Sequence, residues 1–187
     1  MADNRTEGFA WQLRVWDRMA DVYQSEIDMR FSPVIDQVLK LANLQPGETV
    51  LDLGTGTGAI AILAATQVGT TGRVKAIDIS PEMLTRAAER LQTLQLTNVD
   101  LAEGSAEALP TDEGSVDAVI ASLSLMYVID RSSAGDSESA APRWTVYRSS
   151  VGRSGRSGYR KIPTDRGWVC TDALHRWRRP RRSRRSV

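Results

Sequence analysis

The stretch that decides the fold is Leu51-Asp52-Leu53-Gly54-Thr55-Gly56-Thr57-Gly58. The apolar residues at 49–53 predict a short buried strand, and the apolar run 60–68 predicts a helix after the glycines. Glycines allow a tight turn and let the backbone approach a ligand closely. The N-terminus of the following helix offers free N–H groups to a carboxylate or phosphate. The stretch therefore predicts a ligand-binding loop between a strand and a helix.

A second signal lies twenty residues beyond Gly58. The apolar segment 74–79 predicts another strand, and it carries Asp78 near its end. An acid at this place can accept hydrogen bonds from both hydroxyls of a ribose. Ser80 and Pro81 then favour the N-cap and first position of a further helix.

The same alternation extends on both sides of these signals. Further strands are predicted over 99–102 and 116–121, and a helix opens over 124–129. Helices are predicted over 11–28 and 33–44, the second with Ser32 as its N-cap. Alternating strands and helices predict an α/β fold, a Rossmann-like doubly wound parallel sheet with helices on both faces. Ligands of such sheets bind at the carboxyl ends of the strands.

The pattern stops near Asp130. Residues 1–130 carry a net charge of −10, whereas residues 131–187 carry +11, with 14 arginines and 10 serines. This Arg/Ser-rich stretch shows no convincing periodicity, so we predict that it is irregular or disordered. The sheet is then incomplete after its fourth strand. A sheet that stops there would leave an unpaired edge, which predicts instability or aggregation.

Composition excludes several classes of protein. Cys170 is the single cysteine and His175 the single histidine, so neither an internal disulfide nor a Cys/His metal site is possible. The N-terminus has no signal-peptide pattern, and no run approaches the length of a membrane span. We expect a cytoplasmic protein without a bound metal.

Four segments, in this order and spacing, resemble class I S-adenosylmethionine-dependent methyltransferases. They are Trp16-Asp17-Arg18-Met19-Ala20-Asp21-Val22-Tyr23, the glycine stretch, Ile77-Asp78-Ile79-Ser80-Pro81-Glu82-Met83-Leu84 and Gly104-Ser105-Ala106-Glu107-Ala108-Leu109-Pro110. The resemblance is nearest to the small-molecule branch that contains ubiquinone/menaquinone C-methyltransferases, and it covers about residues 11–130. It divides the chain into a cofactor-binding domain, 1–130, and the tail, 131–187.

The resemblance implies S-adenosylmethionine as cofactor and assigns parts of its site to individual residues. The amino-acid end and the glycine loop correspond to Asp52, Gly54, Thr55, Gly56 and Gly58. The resemblance implies that Asp78 binds the ribose and that the adenine contacts Ile79, Met83, Ser105 and Ala106. It also implies that Ser122 borders the methyl-transfer site and that Tyr23 closes over the cofactor.

The reaction that the resemblance implies is transfer of a methyl group from a sulfonium to a small-molecule acceptor by in-line displacement. Orientation and exclusion of water are the protein's main contributions to such a step. A general base is optional, and the sequence identifies no catalytic residue. It also leaves open whether carbon, oxygen or nitrogen is methylated.

The tail lacks the Leu-x-Pro-Gly-Gly-like turn and fifth strand that the family calls for, so a complete acceptor pocket is not assembled and turnover is in doubt. We hypothesise a reading-frame change close to Arg131. Ala141-Pro142-Arg143-Trp144-Thr145 can be encoded so that a one-nucleotide shift reads Arg-Pro-Gly-Gly-Arg. Early stops in the shifted frame of the gene would refute this hypothesis.

Two other classes of protein fit the sequence less well than a methyltransferase. The arginines of 176–185, with Trp177, could serve a non-catalytic nucleic-acid-binding protein through phosphate contacts and stacking. We favour an accidental basic tail, because no RNA-binding fold surrounds the cluster. A nicotinamide dehydrogenase would need a third glycine where Ala59 stands.

Overall fold

The computed structural model describes residues 4–105, 116–124, 144–151 and 157–161, with backbone alone for 4–6, 144–151 and 157–161. Among these residues six strands form one sheet in the order β3-β2-β1-β4-β5-β6. Their bounds are β1 Thr49–Leu53, β2 Arg73–Asp78, β3 Val99–Glu103, β4 Ala118–Ser122, β5 Trp144–Val151 and β6 Ser157–Lys161. Strands β1 to β4 pair in parallel, as the sequence predicts.

Four α-helices and one π-helical segment accompany these strands in the described residues. They are α1 Asn4–Val22, the π segment Tyr23–Ile27, α2 Asp28–Ala42, α3 Ala59–Val68 and α4 Pro81–Thr93. Helices α2 and α3 pack on one face of the sheet in a core that includes Val38, Val50, Ala64 and Ile120. Right-handed crossovers from β1 to β2 and from β2 to β3 place α4 on that same face. The opposite face carries a second cluster of buried apolar residues, among them Leu51.

The break predicted between the first two helices is wrong. The helical backbone continues from α1 through the π segment into α2, with Pro33 inside α2. A proline in a helix leaves the carbonyl four residues earlier without its N–H donor. Here that carbonyl is Met29 O, and the hydroxyl of Ser32 donates to it at 3.0 Å. Ser32 therefore compensates for the missing donor instead of capping a new helix.

The prediction that the whole tail is irregular is also wrong at two segments. Strand β5 pairs antiparallel with β4, and β6 pairs antiparallel with β5. Trp, Thr, Val and Tyr at 144–147 favour extended backbone, and the free edge of β4 offers hydrogen-bonding groups to pair with. The unpaired edge expected at β4 is thus covered. The Arg/Ser-rich average composition of residues 131–187 does not reflect the strand-forming residues at 144–147.

Several predictions lie outside the described residues. They concern Ala106, Cys170, His175, the basic cluster 176–185 and most of the helix predicted at 124–129. The prediction of helices on the second face of the sheet depends on that last segment. In the part of the chain that is described, no helix is both long enough and apolar enough to cross a membrane.

Ser80 is the N-cap of α4, as predicted, and its replacement should destabilise the fold. Its Oγ accepts a hydrogen bond from Met83 N at 3.2 Å and donates to Asp17 of α1 at 2.6 Å. We expect Ser80→Ala to lower the free energy of unfolding by about 1–2 kcal/mol, measured by urea denaturation. Ser32→Ala is the control, because water can reach this exposed serine. Equal losses in the two variants would contradict the capping role.

A candidate ligand site at the carboxyl ends of the parallel strands

A cavity of about 140 Å³ opens where β1, β2, β3 and β4 end. The segments that follow these strands contribute Gly54, Ile79, Gly104 and Leu123 to its wall. The N-terminal helices close the opposite side. This is the edge at which a doubly wound sheet binds its ligand, so the position agrees with the sequence prediction.

The glycine loop turns through left-handed backbone. Gly54, Gly56 and Gly58 have φ values of +70°, +56° and +83°, which residues with a Cβ rarely adopt. The loop starts with the N–H groups of Gly54 and Thr55, both donating to Ile77 O at 2.8 and 3.0 Å. A Cβ at Gly56 would meet no atom within 4 Å, so the backbone at this residue faces open space in the cavity.

Asp78 connects this loop to the next helix. Its Oδ2 accepts from Gly56 N at 2.8 Å and its Oδ1 from Ser80 N at 3.0 Å. Burial raises the pKa of the carboxyl, and these backbone N–H groups oppose the rise. Each oxygen keeps a lone pair for a further donor, so the side chain can still accept hydroxyl groups from a ligand.

Asp52 is the most deeply buried acid of the wall, at 1% exposure. Its Oδ2 accepts from Thr55 Oγ1 at 2.7 Å. Burial raises the pKa of Asp52 to about 7, and the nearby negative charge of Asp78 adds to the rise, while the Thr55 hydrogen bond opposes it. A positively charged ligand group beside Asp52 would favour its ionised form.

The end of β4 supplies two hydroxyl groups. Ser124 Oγ donates to Leu53 O at 2.6 Å and so ties the end of β4 to the end of β1. Ser122 Oγ is buried and has no hydrogen-bond partner among the described residues. Because buried hydroxyls are usually paired, Ser122 is suited to bond a ligand in the cavity that it lines.

The wall opposite the strands is aromatic, and the sequence reading found only Tyr23 of it. Phe9, Trp16 and Phe31 line the cavity with Tyr23, and the Trp16 and Tyr23 rings meet edge-on with centroids 6.2 Å apart. Phe9 and Trp16 are seven residues apart, which places them on one stripe of α1. That spacing was the signal available in the sequence.

A polar cluster at the loop was also missed. Asp28 Oδ2 accepts from Thr57 Oγ1 and from Arg90 Nη1, each at 2.6 Å. Arg90 Nη1 also donates to Thr57 O at 2.8 Å. These residues come from α2, the glycine loop and α4, and no sequence spacing relates them.

Ten of the twelve predicted cofactor residues line the cavity together: Tyr23, Asp52, Gly54, Thr55, Gly56, Asp78, Ile79, Met83, Ser105 and Ser122. Gly58 does not line it. Gly58 precedes α3 with a φ of +83°, and an added Cβ would lie 3.1 Å from Ala87 Cβ, so the absence of a side chain lets α4 approach the end of the loop closely. Ala106 lies outside the described residues.

The fold is a doubly wound α/β domain whose cavity is lined by a glycine loop and by an acid at the end of the neighbouring strand. A family model described as "Methyltransferase domain" matches residues 44–137, half of the chain. The chain belongs to this family.

Two curated relatives show the extent of the likeness. Demethylmenaquinone methyltransferase of Oceanobacillus iheyensis is 41% identical over 92 residues, which are 49% of this chain and 39% of the relative. Nocamycin O-methyltransferase of Saccharothrix syringae is 35% identical over 159 residues, which cover 83% of this chain and 53% of the relative. That match is longer than the 130 residues ahead of the tail, so likeness extends past the boundary expected near Asp130. The chain spans about half or less of these relatives.

A solved structure supports the fold. The structure is that of an S-adenosyl-L-methionine-dependent methyltransferase from Methanococcus maripaludis. The alignment covers 63% of this chain and 53% of the solved chain, at 18% identity and a TM-score of 0.53. The four parallel strands and their helices are therefore a Rossmann-like methyltransferase fold.

Alanine substitutions should distinguish two glycines of the loop. In Gly54→Ala the Cβ would lie 2.2 Å from Ser124 Cβ, in addition to the unfavourable φ. We expect a loss of about 3 kcal/mol or more in the free energy of unfolding. Gly56→Ala has the backbone strain alone and should lose about 1 kcal/mol. Denaturation curves with equal losses would contradict this assignment of the two positions.

The raised pKa of Asp52 predicts an unusual pH dependence of stability. Between pH 4 and 7 the folded chain keeps a proton on Asp52 that the unfolded chain has released. The free energy of unfolding should therefore fall by up to about 4 kcal/mol as pH rises through this range, then level off. Urea denaturation at a series of pH values measures the slope.

Asp52→Asn should flatten this slope, leaving the smaller decline that Asp78 adds with the same sign. Asp100→Asn is the control, because Arg73 lowers the pKa of Asp100, so its contribution is lost only on acidification. A slope unchanged in Asp52→Asn would show that Asp52 ionises normally in the fold.

Proposed function

We propose that this chain binds S-adenosylmethionine and is the cofactor-binding part of a methyltransferase that acts on a small, largely apolar molecule. The observation that carries the proposal is the meeting of ten predicted cofactor residues around one cavity. Membership of the methyltransferase domain family supports the same conclusion.

The residues of the wall fit the parts of this cofactor. The backbone at Gly56 borders open space that an amino-acid group can fill. Asp78 lies where ribose hydroxyls can donate to its carboxylate. Ile79 and Met83 offer apolar surface to an adenine ring. A ligand that carries an ammonium and a sulfonium would favour the ionised form of Asp52 and be attracted to its charge.

When bound, the cofactor supplies a methyl group attached to a sulfonium sulfur, and this sulfur is a good leaving group. The chain's own contribution is to orient the reactants and exclude water. Ser122 Oγ is buried and has no hydrogen-bond partner among the described residues, which supports a role in bonding a polar group of the acceptor. No residue is required to act as a base when the acceptor is already nucleophilic.

The aromatic wall supports an apolar acceptor with a flat surface. Phe9, Trp16, Tyr23 and Phe31 offer rings to such a molecule, and aromatic pairs are stabilised beyond the area that they bury. The names of the two curated relatives, a demethylmenaquinone and a nocamycin methyltransferase, also refer to small organic acceptors.

Calorimetric titration of the full chain with S-adenosylhomocysteine tests cofactor binding without requiring turnover. We expect saturable binding that Asp78→Ala weakens about tenfold or more, because the variant loses the acceptor for ligand hydroxyls. Asp100→Ala is the matched control, since this strand acid pairs with Arg73 on the surface and does not line the cavity.

Absence of binding by a folded wild-type chain would overturn the proposal. Equal weakening in Asp78→Ala and Asp100→Ala would place the ligand elsewhere. Circular dichroism of each variant establishes that it is folded before titration.

A further inference from the structure

Arg90 makes contacts that an ordinary surface arginine does not. Its Nη1 lies 2.6 Å from Asp28 Oδ2, 2.8 Å from Thr57 O and 3.2 Å from Thr57 Oγ1. Its side chain is 26% exposed, and that of Asp28 is 14% exposed. Thr57 itself is 1% exposed. The three residues therefore form a compact, largely desolvated cluster.

Thr57 is the residue on which this cluster acts. It stands between Gly56 and Gly58, which both have left-handed backbone. Glycines are the most flexible residues of a chain, so a loop that contains them needs external fixation to keep one shape. Gly56 N is fixed by Asp78, and Thr57 O is fixed by Arg90.

Asp28 extends the cluster to the other wall of the cavity. It is the first residue of α2 and follows directly after the π segment. The helical backbone on either side carries the aromatic wall, with Tyr23 in the π segment and Phe31 one turn into α2. Segments of π-helix are rare, and those that interrupt α-helices often lie at functional sites. Asp28 thus joins the proposed acceptor side to the loop of the proposed cofactor side.

We propose that Arg90 is a positioning residue that fixes the glycine loop at Thr57 and, through Asp28, couples the loop to the aromatic wall. The proposal rests on the proposed function for its ligand and deepens it by assigning a residue that does not touch the cavity. The two N–H groups on Nη1 let Arg90 donate to the carboxylate of Asp28 and to the carbonyl of Thr57 at once, and the positive charge strengthens both hydrogen bonds.

Arg86 provides a control on the same helix. It lies one turn before Arg90 and also reaches the N-terminal helices, through Asp21 at 2.7 Å. Its partners Asp21 and Glu89 are 77% and 55% exposed, and none of its hydrogen bonds or ion pairs reaches the loop. Exposed ion pairs contribute little to stability. Arg86→Met and Arg90→Met therefore remove the same charge and differ in contact with Thr57.

The first test is hydrogen exchange of the ligand-free chain, which does not depend on the proposed function. We expect the amides of 54–58 to exchange about tenfold faster in Arg90→Met than in wild type, with no change in Arg86→Met. Equal exchange in Arg90→Met and wild type would overturn the proposal. If Arg90→Met does not fold, Asp28→Asn replaces it, with a smaller effect expected in the same direction.

The second test is calorimetric titration with S-adenosylhomocysteine. Arg90→Met should bind about tenfold more weakly, and Arg86→Met should match wild type. A lower melting temperature with unchanged affinity would mean a merely structural role and would overturn the proposal. Failure of wild type to bind would overturn the proposed function, and the exchange result would still decide whether Arg90 fixes the loop.

Discussion

The carboxylate of Asp78 is the point on which the site depends. One of its oxygens accepts the N–H of Gly56 and the other that of Ser80, so a single side chain joins the glycine loop to the start of α4. Ser80 in turn caps α4 and bonds Asp17 of α1. Removal of the carboxylate would leave the N–H groups of Gly56 and Ser80 without this common acceptor. Asp78 is buried, and a hydrogen-bonding group left without a partner away from water costs free energy. The hydrogen bonds of its carboxylate therefore stabilise this part of the fold.

The N-terminal helices are held to this core by polar contacts spread along their length. Asp17, Asp21 and Asp28 reach Ser80, Arg86 and Arg90 of the α4 region, at successive levels. The aromatic wall is thereby fixed relative to the strand ends. The continuity of α1 through the π segment into α2 matters here, because a break at Pro33 would separate Asp28 from the packed part of α2.

Much of the fold and most of the proposed cofactor residues could be predicted from sequence because their signals are local. The glycine spacing, the buried strand β1 and the Ser80-Pro81 pair each depend on neighbours in the chain. Gly58, predicted as a cofactor residue, does not line the cavity. In a sequence, a glycine that permits ligand approach looks the same as one that permits the close approach of a helix, and only the distance to Ala87 reveals the second use here.

What sequence could not provide are contacts between distant residues. Thr57 and Arg90 are brought together by the packing of α4 beside the loop, and no periodicity announces this pair. The sequence predicts a helix start at Ser32 because serine before proline is typical of one. Its bond to Met29 O, which keeps the helix whole, depends on the three-dimensional course of the backbone.

The reversed direction of β5 decides which parts of the chain can reach the cavity. Trp144, where β5 begins, pairs with Ser122 at the carboxyl end of β4. Strand β5 then runs away from the cavity, and β6 runs back towards it. The start of β5, at Trp144, is thus the part of this strand that lies nearest the carboxyl end of β4, where Ser122 lines the cavity.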